Sequence, residues 1–278
     1  MSDVVRIDNP AATGEVHAHG AHVTDWTPAG AEPVLWLSPL ADLTPGSAIR
    51  GGVPVCFPWF GDGPGDAYEP KHGFARNAVW TVVETTDESV RLRLTDADVT
   101  DLPGRDRWQH AFTLELAVTV GAELLLELTC TNSGDEDFSY GSALHTYFRV
   151  ADISRTTVAG LGGATFLDKV AGGSAVQDGP IRFTGETDRV YESVADVVVE
   201  DGTGRRIMII KTGSADTVVW NPWQVRAAAM ADFPDDGWSQ MLCIEAANAA
   251  GHEITLAPGE SHTVSQRIKL PHHSGQPS

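Results

Sequence analysis

Residues 111–130, AFTLELAVTVGAELLLELTC, decide the fold class of this chain. Apolar and polar side chains alternate on both sides of Gly121-Ala122, a pattern typical of two strands joined by a tight turn. The same alternation recurs in residues 78–94, in residues 194–211 around the turn DGTG, and in residues 252–270 around the turn APGE. These patterns predict a series of β-hairpins and therefore mainly antiparallel pairing.

Helical periodicity is brief, running from Gln224 to Ala231, and a strand–helix–strand alternation is absent from the sequence. A parallel sheet is therefore disfavoured. Strand signals continue along the 278 residues without a linker. We predict an all-β fold, a single large antiparallel β-sandwich domain over residues 1–270 with few short helices. Residues 271–278, PHHSGQPS, lack apolar side chains and are expected to form a flexible tail.

The charge balance restricts the partners. Nineteen Lys and Arg residues stand against 38 Asp and Glu residues, which gives a formal charge of -19. This charge opposes binding to nucleic acid or to an anionic membrane, so we expect neither. The three cysteines are odd in number and widely spaced, which favours reduced thiols in the cytoplasm. We expect a cytoplasmic monomer whose partner is a small molecule.

Long segments rich in Gly, Pro and aromatic residues cover residues 47–76, 175–191 and 220–238. Binding sites concentrate in such segments when a rigid β scaffold holds them. In the first of them, Arg50 precedes an apolar run and needs a carboxylate, a carbonyl or a ligand as its partner. Trp59 could present an apolar face to a sugar, although aromatic side chains pack more often in a core.

The segment KHGFAR (71–76) places three potential cations within six residues, Lys71, His72 and Arg76. In so acidic a chain it is either a solvated loop or a site for a polar or anionic ligand. The histidines of EVHAHGAHV give a different pattern. His17 and His19 share a strand face, but His22 follows Gly20 and no Cys or carboxylate cluster completes a ligand set. We therefore expect no metal and no cofactor.

Acid–base candidates lie in two strand patterns. In SALHTYFRV, the alternation puts His145 on one face with Tyr147 and Arg149, and in MLCIEAAN, Glu245 interrupts an apolar strand. A carboxylate in such surroundings is either paired or has a raised pKa, which suits a general base.

Two further acids lie at strand edges, Asp188 and Asp216, and either could cap a turn instead. Signatures of a Ser, Cys or Lys nucleophile are absent from the sequence. The residue types therefore favour acid–base chemistry without a covalent intermediate.

Taken together, seven motifs resemble the aldose 1-epimerase family, and within it the branch of glucose-6-phosphate 1-epimerases, over roughly residues 14–270. In chain order they are IRGGVPVCFPWFG, KHGFARNAVW, LHTYF, GETDRVY, DTVVWNPW, MADF and CIEAAN…ITLAPGES. The resemblance implies a galactose mutarotase-like β-sandwich. It also implies that His145 is the general acid and Glu245 the general base. The residues that it places around the sugar are Arg50, His72, Arg76 and Asp188, with the cations also available to a 6-phosphate.

The function expected from this resemblance is interconversion of the α and β anomers of a hexose 6-phosphate. His145 would have to start protonated, which a neighbouring Asp188 or the substrate phosphate would favour. Three alternatives stay open at this point. They are a mutarotase for unphosphorylated sugars such as galactose, a carbohydrate-binding protein without activity, and a structural β domain.

Overall fold

Strands dominate the computed structural model, which describes residues 4–64 and 68–271. Within these ranges it contains 22 strands and one α-helix, α1 (Trp223–Ala228). In chain order the strands are β1 (Val4–Asn9), β2 (Ala12–His17), β3 (His22–Pro28), β4 (Val55–Cys56), β5 (Thr81–Thr85), β6 (Ser89–Thr95), β7 (Phe112–Val120), β8 (Glu123–Asn132), β9 (Phe138–Tyr140), β10 (Ser142–Leu144), β11 (Tyr147–Arg149), β12 (Thr157–Ala159), β13 (Thr165–Asp168), β14 (Ser174–Val176), β15 (Ile181–Arg182), β16 (Thr187–Glu192), β17 (Val197–Glu200), β18 (Arg206–Thr212), β19 (Asp216–Asn221), β20 (Met241–Asn248), β21 (Ile254–Leu256) and β22 (Ser261–Lys269). Short 3₁₀ turns cover Ala75–Asn77, Asp96–Val99, Arg105–Arg107, Ile153–Arg155 and Gly237–Gln240.

A nine-stranded antiparallel sheet forms one layer, in the order β15-β12-β17-β18-β22-β8-β7-β6-β5. The predicted hairpins β5–β6, β7–β8 and β17–β18 all lie in it and pair antiparallel. Along β7 the burial alternates, because the pleat turns successive side chains to opposite faces. The all-β prediction is confirmed.

The second layer is an eight-stranded sheet in the order β14-β13-β16-β19-β20-β10-β4, with β11 also paired to β20. Every residue of β20 is buried. Leu242, Ile244 and Ala246 enter the main apolar cluster between the two layers, whereas Met241 and Cys243 pack into a separate cluster. Because side chains alternate along a strand, Glu245 shares the face of Cys243 and points away from the main core.

One predicted hairpin is wrong. Residues 252–270 contain two strands, but β21 pairs with β9, while β22 pairs with β8 on one side and β18 on the other. Both edges of β22 are therefore occupied, and β21 has no free edge of β22 to pair with. Small sheets of β9–β21 and β1-β2-β3 complete the fold.

The helix and the termini differ from the sequence-based expectation in detail. Helix α1 covers Trp223–Ala228 and so ends before the predicted limit at Ala231, because the chain turns after Ala229. Most of the predicted tail, residues 272–278, lies outside the described residues. Among the described residues, no helix has the length and apolar character needed to cross a membrane.

Candidate active site

A cleft of about 310 Å³ opens on the face of the eight-stranded sheet to which Glu245 points. Its lining contains six of the seven residues proposed from the sequence: Arg50, His72, Arg76, His145, Asp188 and Glu245. They come from strands and loops that are far apart along the chain. Two of the three irregular segments, residues 47–76 and 175–191, supply four of them, Arg50, His72, Arg76 and Asp188, and the two others belong to β20 and to the break between β10 and β11.

Glu245 and His145 form the bottom of the cleft, and we call them the floor pair. Their side chains are 1% and 9% exposed, and His145 Nδ1 lies 3.4 Å from Glu245 Oε1. Glu245 lies opposite Val218 of β19 in the sheet. The chain leaves the edge of β20 for two residues between β10 and β11, which directs His145 into the cleft while its amide donates to the Pro54 carbonyl.

Burial controls the protonation of the floor pair. Desolvation raises the pKa of Glu245 well above its usual value, and the charge of Asp188 raises it further. Desolvation lowers the pKa of His145, and the charges of Arg76 and Arg50 lower it further. In the free site a proton on this pair therefore favours the carboxyl group, and the imidazole is neutral. Asp188 is thus not enough to keep His145 protonated in the free site, because burial and the charges of Arg76 and Arg50 favour the neutral imidazole, and the effect of a substrate phosphate stays a prediction.

Three buried polar atoms at the cleft lack a hydrogen-bond partner in the part of the chain that the structure describes. They are His145 Nδ1, Glu245 Oε2 and Arg76 Nε. The contact between His145 and Glu245 is close, but it lacks hydrogen-bond geometry. Since buried polar groups in folded proteins are nearly always paired with protein or water, these three atoms are available to bind a polar ligand or water in the cleft.

His72 is held as a neutral hydrogen-bond donor. Its backbone φ of 65° is left-handed, and its amide donates to the Gly61 carbonyl over 2.6 Å. The Gly61 N–H lies 3.3 Å from His72 Nδ1. Because a backbone N–H can only donate, Nδ1 must accept, and the ring proton lies on Nε2. Burial also lowers the pKa of His72, so this residue donates from Nε2 and does not act as an acid.

Arg50 is held deep in the cleft by two partners. Its Nε donates to Asp232 Oδ2 and its Nη1 donates to the Tyr147 hydroxyl, each over 3.1 Å. The prediction that Arg50 needs a partner is confirmed, and the partner lies 182 residues away along the chain. Tyr147 lines the cleft beside His145.

Five cations line the sides of the cleft, and we call them the cationic wall: Arg50, Lys71, Arg76, Lys169 and Arg226. Four of them pair with a carboxylate: Arg50 with Asp232, Lys71 with Asp62, Lys169 with Asp188, and Arg226 with Glu186. Arg76 donates to the Lys71 carbonyl over 2.6 Å, and no carboxylate within residues 4–64 and 68–271 forms an ion pair with it. Its charge is thus the least compensated of the wall.

Trp59, the seventh proposed residue, lies outside this cleft. Its indole N–H donates to the Pro70 carbonyl over 3.0 Å, and its ring packs edge-on against Tyr68 and Phe74. It lines a neighbouring cavity with Trp108, while Phe60 borders both cavities. Arg149 likewise lines another cavity, beside β1–β3. Of the two residues predicted to share a face with His145, Tyr147 therefore lines the cleft and Arg149 does not.

Sequence reasoning missed Lys169, Trp220 and Arg226, which also line the cleft. Lys169 follows β13 in the turn DKVAGG, and no signal there separates it from a surface lysine. Asp216, left open between an acid and a cap, is a cap: it accepts from the Ala249 amide and contacts His252.

The histidines of the EVHAHGAHV segment contact three different partners. His17 pairs with Glu15, His19 accepts from the Gly46 amide, and His22 bonds to the Gly51 carbonyl. Their side chains thus serve local structure around β2 and β3. His22 also supports the loop that carries Arg50.

The sequence profile of a family described as Aldose 1-epimerase matches residues 3–269. The chain belongs to the aldose 1-epimerase family. Family membership makes this epimerase an isomerase of sugars, with a small-molecule sugar as its ligand. The fold predicted from the seven motifs is confirmed by solved structures of the same architecture.

Several relatives of this aldose 1-epimerase family member are known. A protein of Escherichia coli K12 named "Putative glucose-6-phosphate 1-epimerase" is 38% identical over 272 residues, which is 96% of this chain and 90% of the relative. One of Cenchrus ciliaris with the same name is 36% identical over 262 residues, 88% of this chain and 78% of the relative.

Solved structures agree. A crystal structure from Salmonella typhimurium, described as a "putative mutarotase", superimposes with a TM-score of 0.86 at 35% identity and covers 96% of this chain and 90% of its own. A structure from Synechocystis has a TM-score of 0.78 at 22% identity, with 96% of this chain and 95% of its own covered. The latter supports the fold alone.

Proposed function

We propose that this epimerase interconverts the α and β anomers of a hexose 6-phosphate, with glucose 6-phosphate as the first candidate. The observation that carries the proposal is the buried floor pair beneath a cationic wall, in which Arg76 lacks a carboxylate partner among the described residues. An acid and a base can exchange protons with the sugar ring, and a guanidinium without a carboxylate partner can bind an anion.

The chemistry requires two proton transfers at one carbon. Glu245, as carboxylate, takes the proton of the C1 hydroxyl while His145 gives a proton to the ring oxygen. The C1–O5 bond then breaks and C1 becomes the aldehyde. Rotation about C1–C2, ring closure from the other face and return of both protons give the second anomer. Both reacting oxygens are bonded to C1, which agrees with an acid and a base only 3.4 Å apart.

Substrate binding has to move a proton before this reaction. In the free site the proton favours Glu245, whereas catalysis requires Glu245 ionised and His145 protonated. A bound phosphate places negative charge beside Arg76 and Arg50, the cations that depress the pKa of His145. It thereby raises that pKa and favours transfer of the proton to the imidazole. The proposal thus couples recognition of the phosphate to activation of the floor pair.

Other residues of the cleft bind and orient the sugar in this proposal. His72 donates from Nε2 to a sugar oxygen, and Asp188 accepts from a sugar hydroxyl. Arg76 is the first candidate for the phosphate, because Arg50 is already engaged by Asp232 and Tyr147. The names of the relatives from Escherichia coli and Cenchrus ciliaris support a phosphorylated substrate.

We further propose that the chain acts as a monomer in the cytoplasm. The floor pair and the cationic wall are formed within one copy of the chain, which is compatible with a monomer. Cys56, Cys130 and Cys243 are buried free thiols, as expected in a reducing compartment. Sedimentation of the active enzyme tests the monomer, because a dimer at assay concentration would contradict it.

The test follows the relaxation of pure α-glucose 6-phosphate to its anomeric equilibrium by NMR, with and without the protein. Parallel reactions use α-glucose and α-galactose. Acceleration of the phosphorylated sugar above the free sugars supports the proposal. Acceleration of the free sugars alone would replace it with a mutarotase for unphosphorylated aldoses. No acceleration of any sugar would leave a sugar-binding protein without activity.

A further inference from the structure

The aromatic ring of Tyr147 stacks against the imidazole ring of His145. The two rings lie 5.0 Å apart between centroids with an interplanar angle of 10°, so they are stacked with an offset. Tyr147 is 2% exposed and pairs with Cys243 of β20, on the face that carries Glu245. The tyrosyl ring therefore borders the floor pair at His145.

The tyrosyl ring is itself held from several directions. Trp36 stacks on it at 6.0 Å with an angle of 19°, and Trp220 meets both Tyr147 and His145 edge-on. The hydroxyl accepts from Arg50, which is tied to Asp232. Backbone bonds from the Tyr147 amide to Gly52 and from the Trp36 amide to Tyr147 hold the main chain.

The side chain of His145 is constrained by ring contacts, stacked on Tyr147 and edge-on with Trp220 and His72. Its Nδ1 is buried without a hydrogen-bond partner among the described residues, and its contact with Glu245 lacks hydrogen-bond geometry. A histidine that transfers a proton commonly depends on a hydrogen bond to orient its ring. In this cleft stacking supplies the orientation instead.

We propose that Tyr147 is the positioning residue for His145: its ring sets the plane of the imidazole and stabilises the imidazolium during the reaction. The inference rests on the proposed function. The face of a tyrosyl ring attracts a cation and favours the protonated imidazole over the neutral one. Tyr147 thus opposes the cations that disfavour the protonated form. The charged and titratable groups that face His145 are Arg50, His72, Arg76, Lys169 and Glu245.

The test compares Tyr147→Phe, which keeps the ring and removes the hydroxyl, with Tyr147→Leu, which removes the ring. For the Leu variant we expect kcat to fall about 10- to 100-fold with KM little changed, since a misplacement of about 1 Å can cost about 100-fold. The limb of the kcat–pH profile at high pH should move down by about half a pH unit, because the imidazolium is less stable. In the Phe variant, kcat and the position of the high-pH limb should be almost those of the wild type.

A second measurement is independent of catalysis. Stacking displaces the imidazole proton signals of His145 through the ring current of the tyrosine, so NMR of the sugar-free protein reports the ring geometry. We expect this displacement in the wild type and the Phe variant and its loss in the Leu variant. Tyr191→Leu is the matched control, because it removes a buried tyrosyl ring outside the cleft. If Tyr147→Leu does not fold, Tyr147→Met replaces it at similar volume.

Two results would overturn the inference. One is a folded Leu or Met variant with the kcat, the pH profile and the His145 signals of the wild type. The other is a rise in KM alone, which would make Tyr147 a substrate contact. An inactive wild type with the expected NMR displacement would contradict the proposed function and not the stacking.

Discussion

The floor pair and the cationic wall differ in burial and in the pairing of their charged groups. Glu245 and His145 lie on the strand framework, almost fully buried, and each carries a buried polar atom that lacks a partner in residues 4–64 and 68–271. The wall lies mainly on loops, its lysines and Arg226 are at least one-third exposed, and four of its five cations are paired with carboxylates. Burial shifts the pKa values of the floor pair, whereas solvent and paired carboxylates reduce the field of the cationic wall.

In the proposed function, this difference separates the residues that react from the residues that bind the substrate. Desolvation favours the neutral forms of both Glu245 and His145, so passing the proton from the carboxyl group to the imidazole leaves the net charge of the pair unchanged but creates two opposite charges. The wall can attract an anion without taking part in the proton transfers. Arg76 is the exception that joins the two regions, since it is poorly compensated and also acts on the pKa of His145.

The largest expected effect comes from breaking the floor pair. Glu245→Gln keeps the shape and removes the base, so kcat should fall about 10²- to 10⁴-fold while KM changes little. His145→Gln should have a similar effect, and the double variant should lose little more, because the two residues act as one unit. Mutarotation rates measured by NMR check this.

Asp216→Asn is the matched control for Glu245, since Asp216 is a buried carboxyl of the adjacent strand β19 outside the cleft. Its kcat should equal that of the wild type. Full activity of Glu245→Gln would remove Glu245 from the mechanism.

The second effect comes from the wall. Arg76→Ala should raise KM for glucose 6-phosphate about 10- to 100-fold, the equivalent of a charged hydrogen bond of about 1.5 to 3 kcal/mol. KM for free glucose should change much less. Arg91→Ala, which removes an exposed arginine paired with Glu84 on the other sheet, is the control. An equal rise for both sugars would assign Arg76 a structural role.

The third effect concerns stability. The folded pKa of Glu245 lies well above 4.5. At pH values above 4.5, the usual pKa that Glu245 has in the unfolded state, and below its raised pKa in the folded state, the native state binds more protons than the unfolded state. The free energy of unfolding therefore falls as pH rises through this range. The Glu245→Gln variant does not lose stability in this way, so at pH 8 its Tm should lie above that of the wild type. The expected rise is about 2–4 °C for each kcal/mol of difference in the free energy of unfolding. Below about pH 4.5 the two should converge.

Differential scanning calorimetry of the two proteins from pH 4 to pH 8 measures this difference. Glu84→Gln, at an exposed position, should show no comparable dependence on pH. A difference in Tm that stays constant over this range would mean that burial does not perturb Glu245.

The smallest effect comes from salt. Raising ionic strength from about 0.05 M to about 0.5 M shortens the Debye length and should raise KM for the phosphorylated sugar a few-fold. The kcat should hardly change, because the floor pair is buried. A fall in kcat with constant KM would contradict the assignment of substrate binding to the cationic wall and of proton transfer to the floor pair.

Much of the fold could be predicted because its signals are local. The pleat of β7 and β8 appears directly as alternation in residues 111–130, since successive side chains face opposite sides. The error at β21 has the same origin. Alternation predicts a strand, but it does not predict which strand is its neighbour, and both edges of β22 are already occupied.

The candidate site divides in the same way. His145 and Glu245 are conspicuous in the sequence because each interrupts an apolar pattern. Trp59 was proposed because an aromatic ring can face a sugar, yet it packs in a neighbouring cavity, because the sequence does not show to which side of Pro58 the ring turns. Lys169 was not noticed, because a lysine in a turn is ordinary until the fold brings Asp188 beside it.

By itself the sequence determined the strand content, the acidic surface, the order of seven motifs and the residue types of an acid and a base. Only the tertiary structure decided that Glu245 and His145, one hundred residues apart, lie 3.4 Å from each other, and that Arg76 is left without a carboxylate in the described chain. The reason is physical. Periodicity reports which way a side chain points from its own strand, whereas desolvation and ion pairing depend on the atoms that other parts of the chain bring next to it.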